Sequence, residues 1–391
     1  MARPDPSGSG LAFWGDEGRA RLFRIGVRNG EIVPPEFSGP IQRCKRRRLW
    51  TETGTGLDGR AFGCGTRYPG EGSAPIIQGG PRTFQRHKAK RMTLRHPEYQ
   101  YLDLLAQVLE RGDQRIDRTG VGTKALFGAM LRFDLSDGTV PILTTKRVYW
   151  KIAVKEMLWF LTGQTNIQAL LKEKVRIWSD WPLAHYRKES GETISQTDFE
   201  TRIVEDDAFA ARWGDLGPVY GKQWRRWLGA DGREHDQIAQ LLQTLKTNPA
   251  SRRMLFHAWN PPELGTMALP PCHMVYQYHV TTEGKLNCLL YQRSCDLFLG
   301  AAFNFTGASA LLLMLAQQAD LTPGELIWMG GDVHLYLNHL EQAREQISRV
   351  PRAFPTIELT RRPASIDDYK ITDFEVEGYD PHPAILADVA V

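Results

Sequence analysis

The chain has 391 residues, 42% of them hydrophobic and 24% charged, with a formal net charge of +4. That is globular composition, long enough for one large domain or two ordinary ones. No apolar run reaches the ~18–20 residues that span a bilayer, which argues against a membrane protein. Five cysteines without C-x-x-C spacing argue against a disulfide framework or a zinc site, and place the chain in a reducing, cytoplasmic setting.

The positive charge is unevenly spread. Residues 1–91 hold 17 Lys+Arg against 8 Asp+Glu, so the remainder is acidic. The same segment holds 16 Gly and 8 Pro and no sustained helical or strand period. Such composition resists core packing, so 1–91 is read as a basic, disordered extension. Its two clusters, Arg43-Cys44-Lys45-Arg46-Arg47-Arg48 and Arg86-His87-Lys88-Ala89-Lys90-Arg91, suit RNA or DNA, or a localisation signal. A solvated tail is the simpler account. Ordered pattern starts after Met92, where a functional start is expected, and 92–391 is read as the catalytic domain.

In that domain Tyr101, Leu104, Leu105, Val108 and Leu109 fall on one helical face before the stop at Gly112. Asp117-Arg118-Thr119-Gly120-Val121-Gly122-Thr123 reads as a loop whose amides, hydroxyls and guanidinium suit a phosphate. Strands are expected around 125–135 and 140–143, with the Asp137-Gly138 turn between them. A second helix, Tyr149–Leu161, is apolar nearly all round yet contains Glu156. A buried carboxylate is either paired or kept for proton chemistry. Trp178, Trp181 and Trp213 lie in what reads as a long irregular connection. A helix is expected over 237–245, and Arg252-Arg253 precede a strand at 254–258.

Leu269-Pro270-Pro271-Cys272-His273 then sets a lone thiol behind two prolines, at the rigid entrance to a strand. That suits a nucleophile, although a buried structural cysteine is the commoner case. The strand turns at 282–285 into a second one. Its far end, Arg293-Ser294-Cys295-Asp296, returns beside Cys272 in a simple hairpin register. Asn304 sits before an apolar helix over 308–316, as a cap or as a reader of a heterocycle's edge. His334 and Tyr336 share one side of an extended segment. A thiol, a buried acid, several arginines, an amide and loop tryptophans describe covalent catalysis on a nucleotide monophosphate, with nearby guanidiniums favouring the thiolate.

At these residues the chain resembles the thymidylate synthases over nearly all of 97–391. The matching blocks are Asp117-Arg118-Thr119-Gly120, Thr144-Thr145-Lys146-Arg147, Glu156 through Leu161, Gly217-Pro218-Val219-Tyr220-Gly221, Ser251-Arg252-Arg253, Pro271-Cys272-His273, Gln292 through Asp296, Phe303-Asn304, and Gly331-Asp332-Val333-His334-Leu335-Tyr336. The resemblance implies an α+β fold, with a large twisted mixed β-sheet packed by helices and one sheet face forming a homodimer interface. Residues 182–213 correspond to a small helical subdomain of variable length. The implied reaction is reductive methylation of dUMP to dTMP, with 5,10-methylenetetrahydrofolate as co-substrate and no metal. Cys272 adds to uracil C6, and Glu156 and Tyr220 manage protons. Asn304 reads uracil, and Asp296 lies at both ligands. Arg118, Arg293 and Ser294 hold the phosphate, joined by Arg252 and Arg253 of the other subunit. His334 and Tyr336 bind the ribose. Trp178, Asp296, Phe303 and the tail at Ala390 place the folate. Two departures stand out: Phe305-Thr306-Gly307-Ala308 replaces the usual Ile-Ala-Ser-Tyr, and Asp388 replaces a proline in the tail. They leave a hydroxymethylase, in which water captures the intermediate, as the alternative.

Overall fold

The computed structural model describes residues 95–117 and 119–389 with their side chains, and the backbone of three strands nearer the N-terminus. Those strands, β1 (Ser9–Trp14), β2 (Arg21–Arg28) and β3 (Glu31–Val33), pair antiparallel in that order, a sheet that no sequence period announced. Both basic clusters lie outside the described residues, as do Arg118 and Ala390.

The larger unit opens with α1 (Tyr99–Arg111), whose expected apolar face is buried through Tyr101, Leu104, Leu105 and Val108. The edge strand β4 (Asp113–Arg115) and the long β5 (Thr123–Asp134) follow. The expected strand over 140–143 does not form. Pro141 lacks a donor, and the Val140 N–H bonds the Pro355 carbonyl, so this buried segment is a loop. The apolar α2 (Trp150–Leu161) ends before Gly163, whose φ is +70°.

The stretch from 178 to 214, irregular by composition but a small helical subdomain over 182–213 by the resemblance, is helical. After α3 (Gln168–Lys172) come α4 (Asp180–Ser190), α5 (Gln196–Glu205) and α6 (Asp207–Trp213). The N-caps Ser195 and Asp206 start α5 and α6 by accepting amide N–H groups one turn on. Their aromatic residues Tyr186, Phe199, Phe209 and Trp213 pack on one another, which a polar composition concealed. Next come α7 (Tyr220–Arg225), the short hairpin β6 (Trp227–Leu228) and β7 (Glu234–His235), and α8 (Gln237–Thr247), capped by Asp236.

The strands β8 (Leu255–His257), β9 (His273–Val280), β10 (Lys285–Asp296) and β11 (Thr322–Tyr336) complete a six-stranded sheet in the order β4-β5-β11-β10-β9-β8. The pair β10/β11 is parallel, joined by the crossover helix α9 (Gly300–Gln318); the other pairs are antiparallel. A row of buried residues, Phe256, Tyr276, Leu290, Trp328 and Leu131, crosses five strands in register. Helix α9 packs on β10 and β11, and α2 packs on α9. Although α9 is long and apolar enough to cross a membrane, 78% of its apolar window is buried within the protein, so it is a core helix. On the other sheet face Met130, Met329 and Leu255 are exposed by 58%, 37% and 42%. The chain closes with α10 (Leu340–Ile347), the paired β12 (Thr356–Leu359) and β13 (Phe374–Glu377), and an extended tail.

Candidate active site

The Pro270-Pro271 approach delivers Cys272 one residue before β9. The Cys272 N–H donates to Tyr220 Oη at 2.8 Å, which ties the strand entrance to the first turn of α7. Tyr220 reaches that point because Gly217 turns the preceding loop with φ +74°. A Cβ there would lie 2.1 Å from the Thr266 carbonyl, so a side chain is excluded.

The hairpin closes as expected. Gln292 pairs with His273, and the Arg293 N–H donates to the Cys272 carbonyl. A register shift between Tyr291 and Gln292 re-aims the strand just before Arg293. The Arg293 guanidinium donates to the carbonyls of Pro271 and Pro270, both at 2.7 Å, and sits 3.9 Å from Cys272 Sγ. A fixed cation therefore lies beside the thiol. Gly331 of β11 faces this point; a Cβ there would come within 2.8 Å of the Arg293 carbonyl.

Glu156 projects from α2 toward the same region. Its Oε1 accepts from Trp178 Nε1 at 2.7 Å. Burial pushes its carboxyl up to about 7, and the indole bond partly opposes this. Trp178 lies 5.8 Å from the Tyr220 ring and 5.3 Å from Trp181. Beneath Tyr220 the His273 ring stacks at 4.2 Å, and burial lowers its pKa to about 3, so it stays neutral.

Asn304 lies inside the second turn of α9, not at the helix entrance, so it does not cap the helix. Its Oδ1 accepts from Gln292 Nε2 at 2.8 Å, and Gln292 Oε1 accepts from Trp328 Nε1 at 2.9 Å. This chain fixes the amide and leaves its own N–H donors to be used elsewhere. Gln292 lies in a block already singled out, but only the register reveals its task. Asp296 accepts from the N–H groups of Phe298 and Leu299 and so shapes the turn into α9. Phe303 is half-buried on the first turn of α9.

His334 and Tyr336 share a face of β11 with rings 5.2 Å apart, and His334 Nδ1 donates to Asp332 at 2.9 Å. That bond holds the Asp332 carboxyl below its usual range and leaves the opposite ring nitrogen of His334 for a ligand. Asp296 and His334 are register partners across β10 and β11, as are Ser294 and Asp332. By contrast, Arg252 and Arg253 precede β8 at the far sheet edge; both are exposed and form no ion pair among the described residues.

Glu98 has no counterpart in the sequence reading. It is fully buried, and its carboxylate accepts from the N–H and hydroxyl of both Thr144 and Thr145, at 2.6 to 2.8 Å. The tail docks on the same loop, with the His382 N–H on the Thr144 carbonyl and Arg349 bridging the carbonyls of Thr145 and Pro383. Next in that loop, Lys146 is buried against the Phe298 ring and its carbonyl, and burial lowers its pKa to about 7.

A family profile described as thymidylate synthase matches residues 99–391. The chain belongs to the thymidylate synthase family. It is 85% identical over 298 residues to the thymidylate synthase of Rhodopseudomonas palustris (strain BisA53), covering 76% of this chain and 100% of that one. It is 77% identical over 296 residues to that of Cereibacter sphaeroides (strain ATCC 17029), and 66% identical over 306 residues to that of Rhizobium rhizogenes (strain K84), covering 76% of this chain in both comparisons and 99% and 100% of the relatives. Of the departures noted in the sequence, Phe305 through Ala308 are buried in α9 and Asp388 is exposed. Phe305 is buried among Tyr101, Phe133 and Trp328, and a Cβ on Gly307 would rest 3.4 Å from Met157 Cε of α2. Asp388 keeps the tail in place through its backbone carbonyl, which accepts from His339 Nε2 at 2.7 Å.

Proposed function

We infer that this chain methylates dUMP to dTMP, taking the one-carbon unit and then a hydride from 5,10-methylenetetrahydrofolate. The observation that carries the assignment of roles is the chain of contacts Glu156–Trp178–Tyr220–Cys272–Arg293, which unites an acid on α2, a thiol just before β9 and a cation on β10. Cys272 adds as the thiolate to uracil C6, favoured by the guanidinium beside it. Glu156, held near neutrality, accepts and returns protons at little cost in either direction. Tyr220 holds the Cys272 backbone and links that acid to the thiol. Asn304 presents its fixed amide donors to a uracil carbonyl, the preference expected for uracil over cytosine. Arg293, Arg118 and Ser294 take the phosphate, and His334 and Tyr336 the ribose. Trp178, Phe303 and Asp296 receive the folate, with Ala390 closing the tail. For the folate, the fit rests on aromatic surface beside the acid: Trp181, half-buried, continues the Trp178 face.

The active form is a homodimer in the cytoplasm. The open sheet face supports this reading, because Met130, Met329 and Leu255 would otherwise leave a broad apolar surface in water. So do Arg252 and Arg253 at its edge, which form no ion pair among the described residues and are placed to serve a neighbouring subunit's phosphate. The free thiols of Cys288 and Cys295 fit a reducing compartment. The test mixes two inactive variants, Cys272→Ala and Arg252→Ala/Arg253→Ala, after reversible dissociation. Shared sites restore turnover, because one of the two sites in each hybrid then combines an intact thiol with intact arginines. A mixture that stays inactive while hybrids form refutes the shared site. Retained turnover in Cys272→Ala alone refutes the nucleophile.

A further inference from the structure

On the side of α2 away from Glu156 lies a cavity of about 750 Å³. Its floor is apolar, built from Leu158, Trp159 and Leu161 of α2, Leu170 of α3, and Ile366 and Ile371 of the C-terminal segment. Neither Cys272 nor any residue assigned above to dUMP or folate lines it. Its size falls in the range of small-molecule sites, and an apolar floor with a few polar groups is their usual construction.

Four cations and three acids stand at the cavity: Lys155, Arg225, Arg226 and Lys370 against Glu173, Asp236 and Asp367. All three acids are already engaged. Glu173 pairs with Lys155 at 2.9 Å, and Arg225 takes both Asp236 and Asp367. Among the described residues Arg226 and Lys370 have no ion-pair partner, and Arg226 spends one Nη on the Gly163 carbonyl. Arg226 and Lys370 also feel Glu234 and Asp373, so the lining's own excess, four cations against three acids, is a single positive charge. Trp159 lines the floor. Its ring is buried, and its Nε1 has no hydrogen-bond partner among the described residues, an unusual state for a buried donor.

We propose that this cavity binds a small aromatic monoanion, with its ring on the Trp159 and Ile371 floor and its acidic group at Arg226 and Lys370. The site is separate from the dUMP site and is occupied independently of it. Adjacent residues of α2 serve the two: Glu156 meets Trp178, while Lys155, about 100° round the helix, meets Glu173 beside the cavity.

The probe is 8-anilinonaphthalene-1-sulfonate, an aromatic monoanion that fluoresces when desolvated, titrated into the full chain. Saturable binding at one site per chain is expected, unchanged by saturating dUMP. Lys370→Glu reverses one of these positive charges and weakens binding by about tenfold or more. Ala169→Phe, at a partly exposed position on the cavity wall, fills the space and abolishes binding. Both variants turn over dUMP as the parent does, which shows that they fold. Displacement of the probe by dUMP, or binding unaltered in Lys370→Glu, overturns the proposal.

Discussion

Replacing Trp178 with Phe tests how the protein sets its buried acid. Two opposed effects act on Glu156. Burial raises its pKa from 4.5 to about 7, while the Trp178 Nε1–H···Oε1 bond at 2.7 Å pulls it down. Phenylalanine keeps an aromatic ring against Phe160 and Trp181 but removes the donor. A hydrogen bond to a carboxylate is worth roughly 1.5–3 kcal/mol, against about 1 kcal/mol to the neutral acid. The difference of about 0.5–2 kcal/mol corresponds to a rise of roughly one pKa unit, so Glu156 in the variant should titrate near 8. The assay is a carboxyl ¹³C titration of glutamate-labelled protein, with Glu156→Gln assigning the resonance. Folate contacts do not enter this measurement, which is made on the free enzyme. An unchanged or lowered pKa would refute the claim that the indole opposes burial.

The same acid makes stability depend on pH. Because its folded pKa is raised, its favourable contribution is complete below 4.5 and is lost as pH rises through about 7. Glu156→Gln should thus match the parent near pH 4.5 and exceed it by up to about 3 kcal/mol above pH 8, read from urea unfolding; equal stability across that range would contradict the buried-acid assignment. Glu98→Ala strands three buried donors, the N–H groups of Thr144 and Thr145 and the Thr145 hydroxyl, while the Thr144 hydroxyl keeps the Arg352 carbonyl; it should cost about 3–5 kcal/mol, visible as a lower urea midpoint and a looser tail in hydrogen exchange. Tyr220→Phe removes the acceptor of the Cys272 N–H and should lower kcat by about 10- to 100-fold while changing the dUMP Kd little. A large loss of dUMP affinity with kcat intact would instead place Tyr220 in ground-state binding.

Much of this protein is legible along the chain because its chemistry sits in short rigid blocks. Proline doublets, the Asp137-Gly138 turn and the apolar period of α1 each specify local backbone without tertiary help. The thiol at Cys272, the acid at Glu156 and the amide at Asn304 stand out as groups whose type does not suit the apolar run around them. Other features depend on partners distant in sequence. Apolar character over 140–143 resembles a strand, but ladder bonds need a free neighbouring edge, and the structure gives that segment Pro355 instead. The polar stretch from 178 to 214 hides an aromatic cluster that exists only when three short helices fold on one another. Glu98 meets its threonines across 46 residues, and Glu156 meets Trp178 across 22. Residue type thus marks which groups can do chemistry. Their environment, which sets the pKa of Glu156 and the orientation of Asn304, arises only when the sheet register and helix packing bring burial and hydrogen-bond partners to them.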